Sequence, residues 1–210
     1  MNNQERANSL RKVRTTILEM LEDRGYDVSE YPRVMSDMEI IERFQQDTLD
    51  IVVPHPTDGY KMYVRFYKIY TFEGKTFGKK ELQQTVDEIR GRFPEEDVRF
   101  IILLHQEPTP PARKALETDM ERYKHVEVYQ INRFIFNITH HRFVPKHEKM
   151  GDDELNALLE KYGCTKSQLP KILMTDPVVQ YYGFRQGDVL KITRTGIPTS
   201  GTALYYRLVK

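Results

Sequence analysis

Asp50 lies at the start of the β-branched run Leu49 to Val53, and Lys68 follows the next strand-like segment, Lys61 to Tyr67. A carboxylate at one strand start and a lysine on the next strand are two parts of a metal-dependent nuclease. In such an enzyme, acidic side chains hold a divalent cation and a lysine orients the attacking water. The second carboxylate belongs two residues before the lysine, and that position is Phe66. A degenerate, restriction-endonuclease-like nuclease therefore stands as an alternative, with Asp50 more simply read as a turn or strand-end residue. His140, His141 and His147 lie close together, yet adjacent residues of an extended segment point to opposite sides, so they make a poor zinc pair. Cys164 is the single cysteine and has no neighbouring motif for a nucleophile; it reads as a small packed thiol. Neither glycine-rich phosphate pattern occurs. We expect no catalytic residues, no metal and no cofactor.

A second chemistry is more promising. Thr109, Pro110, Pro111, Ala112, Arg113 and Lys114 follow a short apolar run and open a helix. A helix start carries unpaired amides and a partial positive charge that suits phosphate. Arg113 and Lys114 add to that field, although cations are otherwise misplaced at this end of a helix. The prolines stiffen the loop and lower the cost of ordering it on contact. Such contacts read nucleic-acid backbone rather than sequence.

The elements around these residues follow from periodicity. Leu10, Val13, Ile17, Met20 and Leu21 predict an amphipathic helix with Gly25 at its C-terminal cap, and Ser36 with Glu39 predicts a capping box for a short second helix. Strands are expected at 49–53 and 61–67, with Asp58-Gly59 as the turn between them. Leu82, Val86, Ile89 and Phe93 mark a helix, Val98 to Leu104 a buried central strand, and Val126 to Ile131 another strand. This order reads as a three-layer α/β domain ending near Asn137. Beyond it, His140 to His147 reads as a basic connector. Helices are expected around 155–162 and up to Tyr182, a tight turn at Arg185 to Asp188, and strands at 189–194 and 203–209. Leu169-Pro170 and Asp176-Pro177 read as turn or helix-start signals. This is a small α+β module.

Bulk composition narrows the function classes. The 210 residues are 30% charged and 39% hydrophobic, with 32 basic and 31 acidic side chains, for a net charge of +1. A stand-alone DNA-binding protein is usually more basic, so any nucleic-acid contact would be a local patch within a larger assembly. No signal-like or membrane-spanning run is seen, and a reducing compartment is expected. Asn137-Ile138-Thr139 fits the glycosylation pattern without a secretory context to use it.

Segments of the second half carry a resemblance. Asn137 to His147, Gln168 to Ile172, Asp176-Pro177-Val178, Tyr181-Tyr182-Gly183, Gly187 to Arg194 and Tyr205 to Val209 match, in order and spacing, the assembly domain of the small subunit shared by eukaryotic nuclear RNA polymerases I, II and III. That subunit is the fifth-largest type and is related to the H-type subunit of archaeal RNA polymerase. The first half resembles its N-terminal jaw, most clearly where Leu103-Leu104 runs into Thr109 to Ala112. The chain departs from the family at Gln180, where an arginine is usual, and in the loop Thr195 to Gly201.

The resemblance implies an α/β, nuclease-like jaw at 1–137 and an assembly domain of the archaeal H type at 138–210. It also implies a non-catalytic subunit that contacts downstream duplex DNA as a lower jaw. Its partners would be the largest polymerase subunit and the sixth small subunit, with no membrane role. Localisation would be nuclear, or virion and cytoplasm for a large DNA virus. Partner contacts are expected at Pro145, His147, Pro170, Asp176, Pro177, Tyr181, Tyr182, Arg194 and Arg207, on the view that the tyrosines and arginines are exposed; packing of the tyrosines inside the small module is the alternative. A protein-only adaptor is the remaining alternative.

Overall fold

A computed structural model of the chain describes residues 3–67, 76–94, 97–119, 121–197 and 201–210. It divides into two units, Met1–Phe136 and Asn137–Lys210. Both mix helices with one four-stranded sheet.

The first unit opens with α1 (Asn3–Asp23) and α2 (Asp37–Gln45). Leu10, Val13, Ile17, Met20 and Leu21 of α1 are fully buried. Past its end Gly25 takes φ +91°, and the Tyr26 N–H donates to the Leu21 carbonyl at 2.9 Å; only glycine enters that left-handed geometry without strain. Ser36 caps α2 by accepting from the Glu39 N–H at 3.2 Å. The return half of the expected capping box is missing, because the Glu39 carboxylate pairs with Arg43 at 2.9 Å.

Strands β1 (Ile51–Pro54), β2 (Lys61–Phe66), β3 (Val98–Leu104) and β4 (Val126–Gln130) follow in spatial order. β1 and β2 form an antiparallel hairpin across Gly59, whose φ is +71°. β2, β3 and β4 are parallel, so each connection must cross over, through α3 (Lys79–Arg92) and then α4 (Pro110–Thr118). Tyr63, Phe100, Ile102 and Leu104 pack on one sheet face against Leu82, Val86 and Ile89 of α3 and Ala112 and Ala115 of α4. On the other face Glu127, the register partner of Ile101, accepts from Nη1 and Nη2 of Arg24, just past α1, at 3.2 and 3.0 Å. Covering both faces explains why β3 is an almost unbroken apolar run.

In the second unit the sheet order is β5 (Lys146–Lys149), β7 (Val189–Ile197), β8 (Gly201–Val209) and β6 (Lys171–Ile172). α5 (Asp152–Tyr162) packs Leu155 and Leu158 with Met150, Leu169 and Val189. α6 (Pro177–Tyr182) sets Val179 against Leu190, Ile192 and Val209. Two edge strands correct the sequence reading. The segment read as a basic connector ends in β5, and the Leu169-Pro170 turn leads straight into the two-residue β6.

Candidate nucleic-acid and partner interfaces

The helix that carries the predicted phosphate contact lies past the C-terminal end of β3. Thr109 holds the N-cap position of α4 with φ −60° and ψ 154°, although its hydroxyl makes no capping bond. Its N–H donates instead to the Phe77 carbonyl at 2.9 Å. That bond ties the start of α4 to the chain entering α3, so two helix N-termini lie side by side at the same end of the sheet. Lys79 and Lys80 in the first turn of α3 are exposed, as are Arg113 and Lys114 in the first turn of α4. The two lysines of α3 escape a reading of the sequence, because nothing places them beside Thr109 before the crossover topology is known.

The same geometry changes how the site works. A helix start normally offers the amides of its first turn. Pro110 and Pro111 have no N–H, and the Arg113 N–H is already bonded to the Thr109 carbonyl at 3.0 Å. The Thr109 N–H is spent on Phe77. Of the expected amide cradle only the Ala112 N–H remains, and the Ala112 side chain is fully buried in the core. Pro110 and Pro111 form an exposed, stiff ridge. Arg113 pairs with Glu107 at 3.1 Å, with both side chains about half exposed. The patch is therefore cationic side chains around a proline ridge, and not a backbone nest.

Asp50 sits in different company. Its Oδ2 accepts from the Tyr63 hydroxyl at 2.6 Å and from Arg65 Nη1 at 2.7 Å, and its Oδ1 accepts from the Phe66 N–H at 2.9 Å. Arg92 Nη1 donates to the same Tyr63 hydroxyl at 2.9 Å. Burial, with Asp50 alongside, pushes the Tyr63 phenol up to about 12. Burial also works against the charge on Arg65, but Asp50 outweighs it and holds the guanidinium firmly protonated. The carboxylate is committed to closing the open end of the β1–β2 hairpin, which is a structural use. Lys68, the other residue of the nuclease alternative, lies outside the described residues. No group of three or more metal-ligating side chains is assembled among the described residues.

The predicted partner residues of the second unit separate into two kinds. Tyr181 is only 3% exposed, and its hydroxyl accepts from Asn137 Nδ2 at 2.9 Å. Of the two readings of the tyrosines, exposure fails for Tyr181 and packing within the module holds: α6 turns it inward, towards Asn137. Asn137 is itself buried and also accepts from the Thr139 N–H and hydroxyl at 2.9 and 2.7 Å, so the glycosylation pattern is used internally. His147 is buried too, with Nδ1 2.8 Å from the Pro145 carbonyl; burial lowers its pKa below the ordinary 6.5. Asp176 caps α6 by accepting from the Val178 N–H at 2.8 Å, and Pro177 occupies the first helical position.

The outward residues are Pro170, Pro177 and Arg194, with Pro145, Tyr182 and Arg207 half-buried. Arg194 lies over the Tyr205 ring at 5.0 Å, and Arg207 donates to the Lys171 carbonyl at 3.0 Å. Leu173, Met174, Leu204, Tyr205 and Phe143 add exposed apolar surface in the same unit. Such residues are the ordinary material of a protein interface. Leu173 and Leu204 have no counterpart among the sequence-predicted residues, since an isolated leucine carries no signal of exposure.

Residues 136–209 match the family described as RNA polymerase Rpb5, C-terminal domain. The chain is 34% identical over 204 residues to the Dictyostelium discoideum protein named DNA-directed RNA polymerases I, II, and III subunit rpabc1, covering 96% of this chain and 97% of the relative. It is 31% identical over 208 residues to the Caenorhabditis briggsae protein named DNA-directed RNA polymerases I, II, and III subunit RPABC1, covering 94% of each. An Arabidopsis thaliana protein named DNA-directed RNA polymerase V subunit 5A is 33% identical over 183 residues, 85% of this chain and 78% of the relative.

Proposed function

The chain belongs to the Rpb5 family of DNA-directed RNA polymerase subunits, and from that premise we propose how its two units divide the work of a structural, non-catalytic subunit. The first unit, a three-layer jaw on a nuclease-like scaffold, meets downstream duplex DNA through the proline ridge and the cations at the paired starts of α3 and α4. The second unit docks on the largest polymerase subunit, next to the sixth small subunit, in the nucleus. Pro145, Pro170, Pro177, Tyr182, Arg194 and Arg207 supply the contacting surface. Tyr181, His147 and Asp176 hold that surface in shape from beneath.

The observation that carries the DNA reading is the Thr109 to Phe77 hydrogen bond, which gathers Lys79, Lys80, Arg113 and Lys114 around one exposed ridge. Four cations near one ridge attract the phosphate backbone without reading bases. The nuclease alternative has no such support, because the carboxylate it needs is bound up with Tyr63, Arg65 and the Phe66 amide.

The test uses polymerase assembled with the unchanged chain or with Lys79→Ala, Lys80→Ala, Arg113→Ala and Lys114→Ala together. Removing each phosphate partner should flatten the logarithmic salt dependence of downstream DNA binding by about 0.9. An unchanged slope would overturn the DNA role. Affinity purification of the full chain checks the docking role, with recovery of the largest subunit expected.

A further inference from the structure

Thr109 is the only serine or threonine of the chain that is followed by proline. It is partly exposed, at the end of the irregular stretch 105–109 that follows β3. An N-cap threonine ordinarily accepts from the N–H of the second or third helical residue. Here the second is Pro111, which has no N–H, and the hydroxyl does not take the remaining donor, Ala112. The Thr109 hydroxyl makes no hydrogen bond to any described residue.

That free hydroxyl lies between two helix starts. Its Oγ1 is 3.7 Å from where a side chain on Gly78, the N-cap of α3, would begin. The cations of the patch are Lys79, Lys80, Arg113 and Lys114, and two carboxylates oppose them. Glu107 pairs with Arg113, and Glu81 accepts from the Gly78 N–H at 3.1 Å. Four cations against two acids leave the patch two charges positive. A phosphothreonine carries about −1.5 to −2 at neutral pH. One phosphoryl group on Thr109 therefore cancels the patch.

We propose, resting on the DNA reading above, that Thr109 is a phosphorylation site for a proline-directed serine/threonine kinase, and that its phosphate releases the hold of the α3–α4 patch on downstream DNA. The kinase transfers the γ-phosphoryl group of a nucleoside triphosphate. The Oγ1–P bond forms as the bond from the γ-phosphorus to its bridging oxygen breaks. A nucleoside diphosphate leaves, and the hydroxyl proton passes to the base of the kinase. The phosphate then engages Lys79, Lys80 and Lys114, so that cations which would meet DNA are already occupied.

The first arm of the test incubates the full chain with a proline-directed kinase and ATP and locates the acceptor by fragment mass. Modification at Thr109 is expected, and it should be lost in Thr109→Val and in Pro110→Ala. A folded chain left unmodified at Thr109 would overturn the proposal. Phosphorus NMR gives a readout that needs no DNA. The phosphate should keep its second charge to lower pH than free phosphothreonine does, and alanine at Lys79, Lys80, Arg113 and Lys114 together should abolish the difference. A phosphate that titrates like the free amino acid is not held by the patch, and the switch then fails. In the last arm, polymerase assembled with the modified chain should bind downstream DNA at least about tenfold more weakly at low salt, with its logarithmic salt slope flattened by about 1.5. The quadruple alanine variant separates the two ways this arm can fail. If that variant flattens the slope and the phosphate does not, the switch is wrong and the DNA reading stands. If neither changes the slope, the DNA reading falls and takes the switch with it.

Discussion

Replacing Asp50 by alanine is the most informative single perturbation of the first unit. The carboxylate and the Arg65 side chain are 9% and 7% exposed and meet at 2.7 Å. Asp50 also accepts from Tyr63 and from the Phe66 amide. Alanine removes all three bonds and leaves a buried guanidinium whose other carboxylate, Asp47, is 3.5 Å away and half exposed. Breaking one partner of a buried pair costs about 3–5 kcal/mol, mostly from the charge left behind. At about 3 °C per kcal/mol for a unit of this size, the unfolding midpoint should fall on the order of 10 °C. Asp50→Asn keeps the shape and part of the hydrogen bonding and should lie between alanine and the parent.

Calorimetry reads the effect, as does urea unfolding followed through the Tyr63 ring, which packs edge-on to Phe93. A double-mutant cycle assigns it. Arg65→Met in the Asp50→Ala background removes the stranded charge, so the double variant should cost clearly less than the two singles added together. A single Asp50→Ala cost below about 1 kcal/mol, or strictly additive singles, would refute the claim that this carboxylate exists to satisfy Arg65.

Elsewhere in the chain, Tyr31→Phe should cost about 1–2 kcal/mol by leaving Val52 unbonded, and sedimentation should show the isolated chain self-associating more readily through the opened β1 edge. Because burial depresses His147, the folded chain binds fewer protons than the unfolded one below pH 6.5; the stability of the second unit should be complete above that pH and fall as acid is added, and His147→Gln should flatten the pH profile. Gly183 caps α6 with φ +67°, so Gly183→Ala should cost about 1 kcal/mol in thermal unfolding.

Periodic elements are legible in the sequence because their signals are local. The α1 stripe from Leu10 to Leu21 and the unbroken apolar run of β3 announce both type and burial. β5 is not legible: Lys146, His147, Glu148 and Lys149 contain no apolar residue, and they form a strand only because β7 supplies a ladder, with Thr193 opposite Lys146. β6 is two residues long and depends on β8 in the same way. The sequence leaves Tyr181 open between exposure and packing for a related reason. Paired tyrosines look alike in sequence, and the helical turn of α6 sends one inward to Asn137 and leaves the other half-buried. Lys79 and Lys80 join the site only because the α3 and α4 crossovers bring both helix starts to one end of the sheet.

The prolines at α4 bear on what kind of DNA contact a polymerase subunit can use. A cradle of backbone amides fixes each phosphate in direction and distance, which suits a static ligand. Pro110 and Pro111 remove two of those donors, and the Phe77 bond occupies a third. On the proposed reading, attraction then falls to Lys79, Lys80, Arg113 and Lys114, whose charges act over a Debye length and tolerate displacement. Such a surface holds duplex DNA near the ridge without a preferred register along it. A clasp on DNA that must advance one base pair with each nucleotide added needs that property, because every register-specific bond would have to be broken at each step. Restoring donors should therefore be harmful in a particular way: Pro111→Ala, which returns one amide to the α4 start, is expected to strengthen downstream binding at low salt while lengthening pauses in an elongation assay. Stronger binding with unchanged pausing would show that register-free holding is not what the prolines provide.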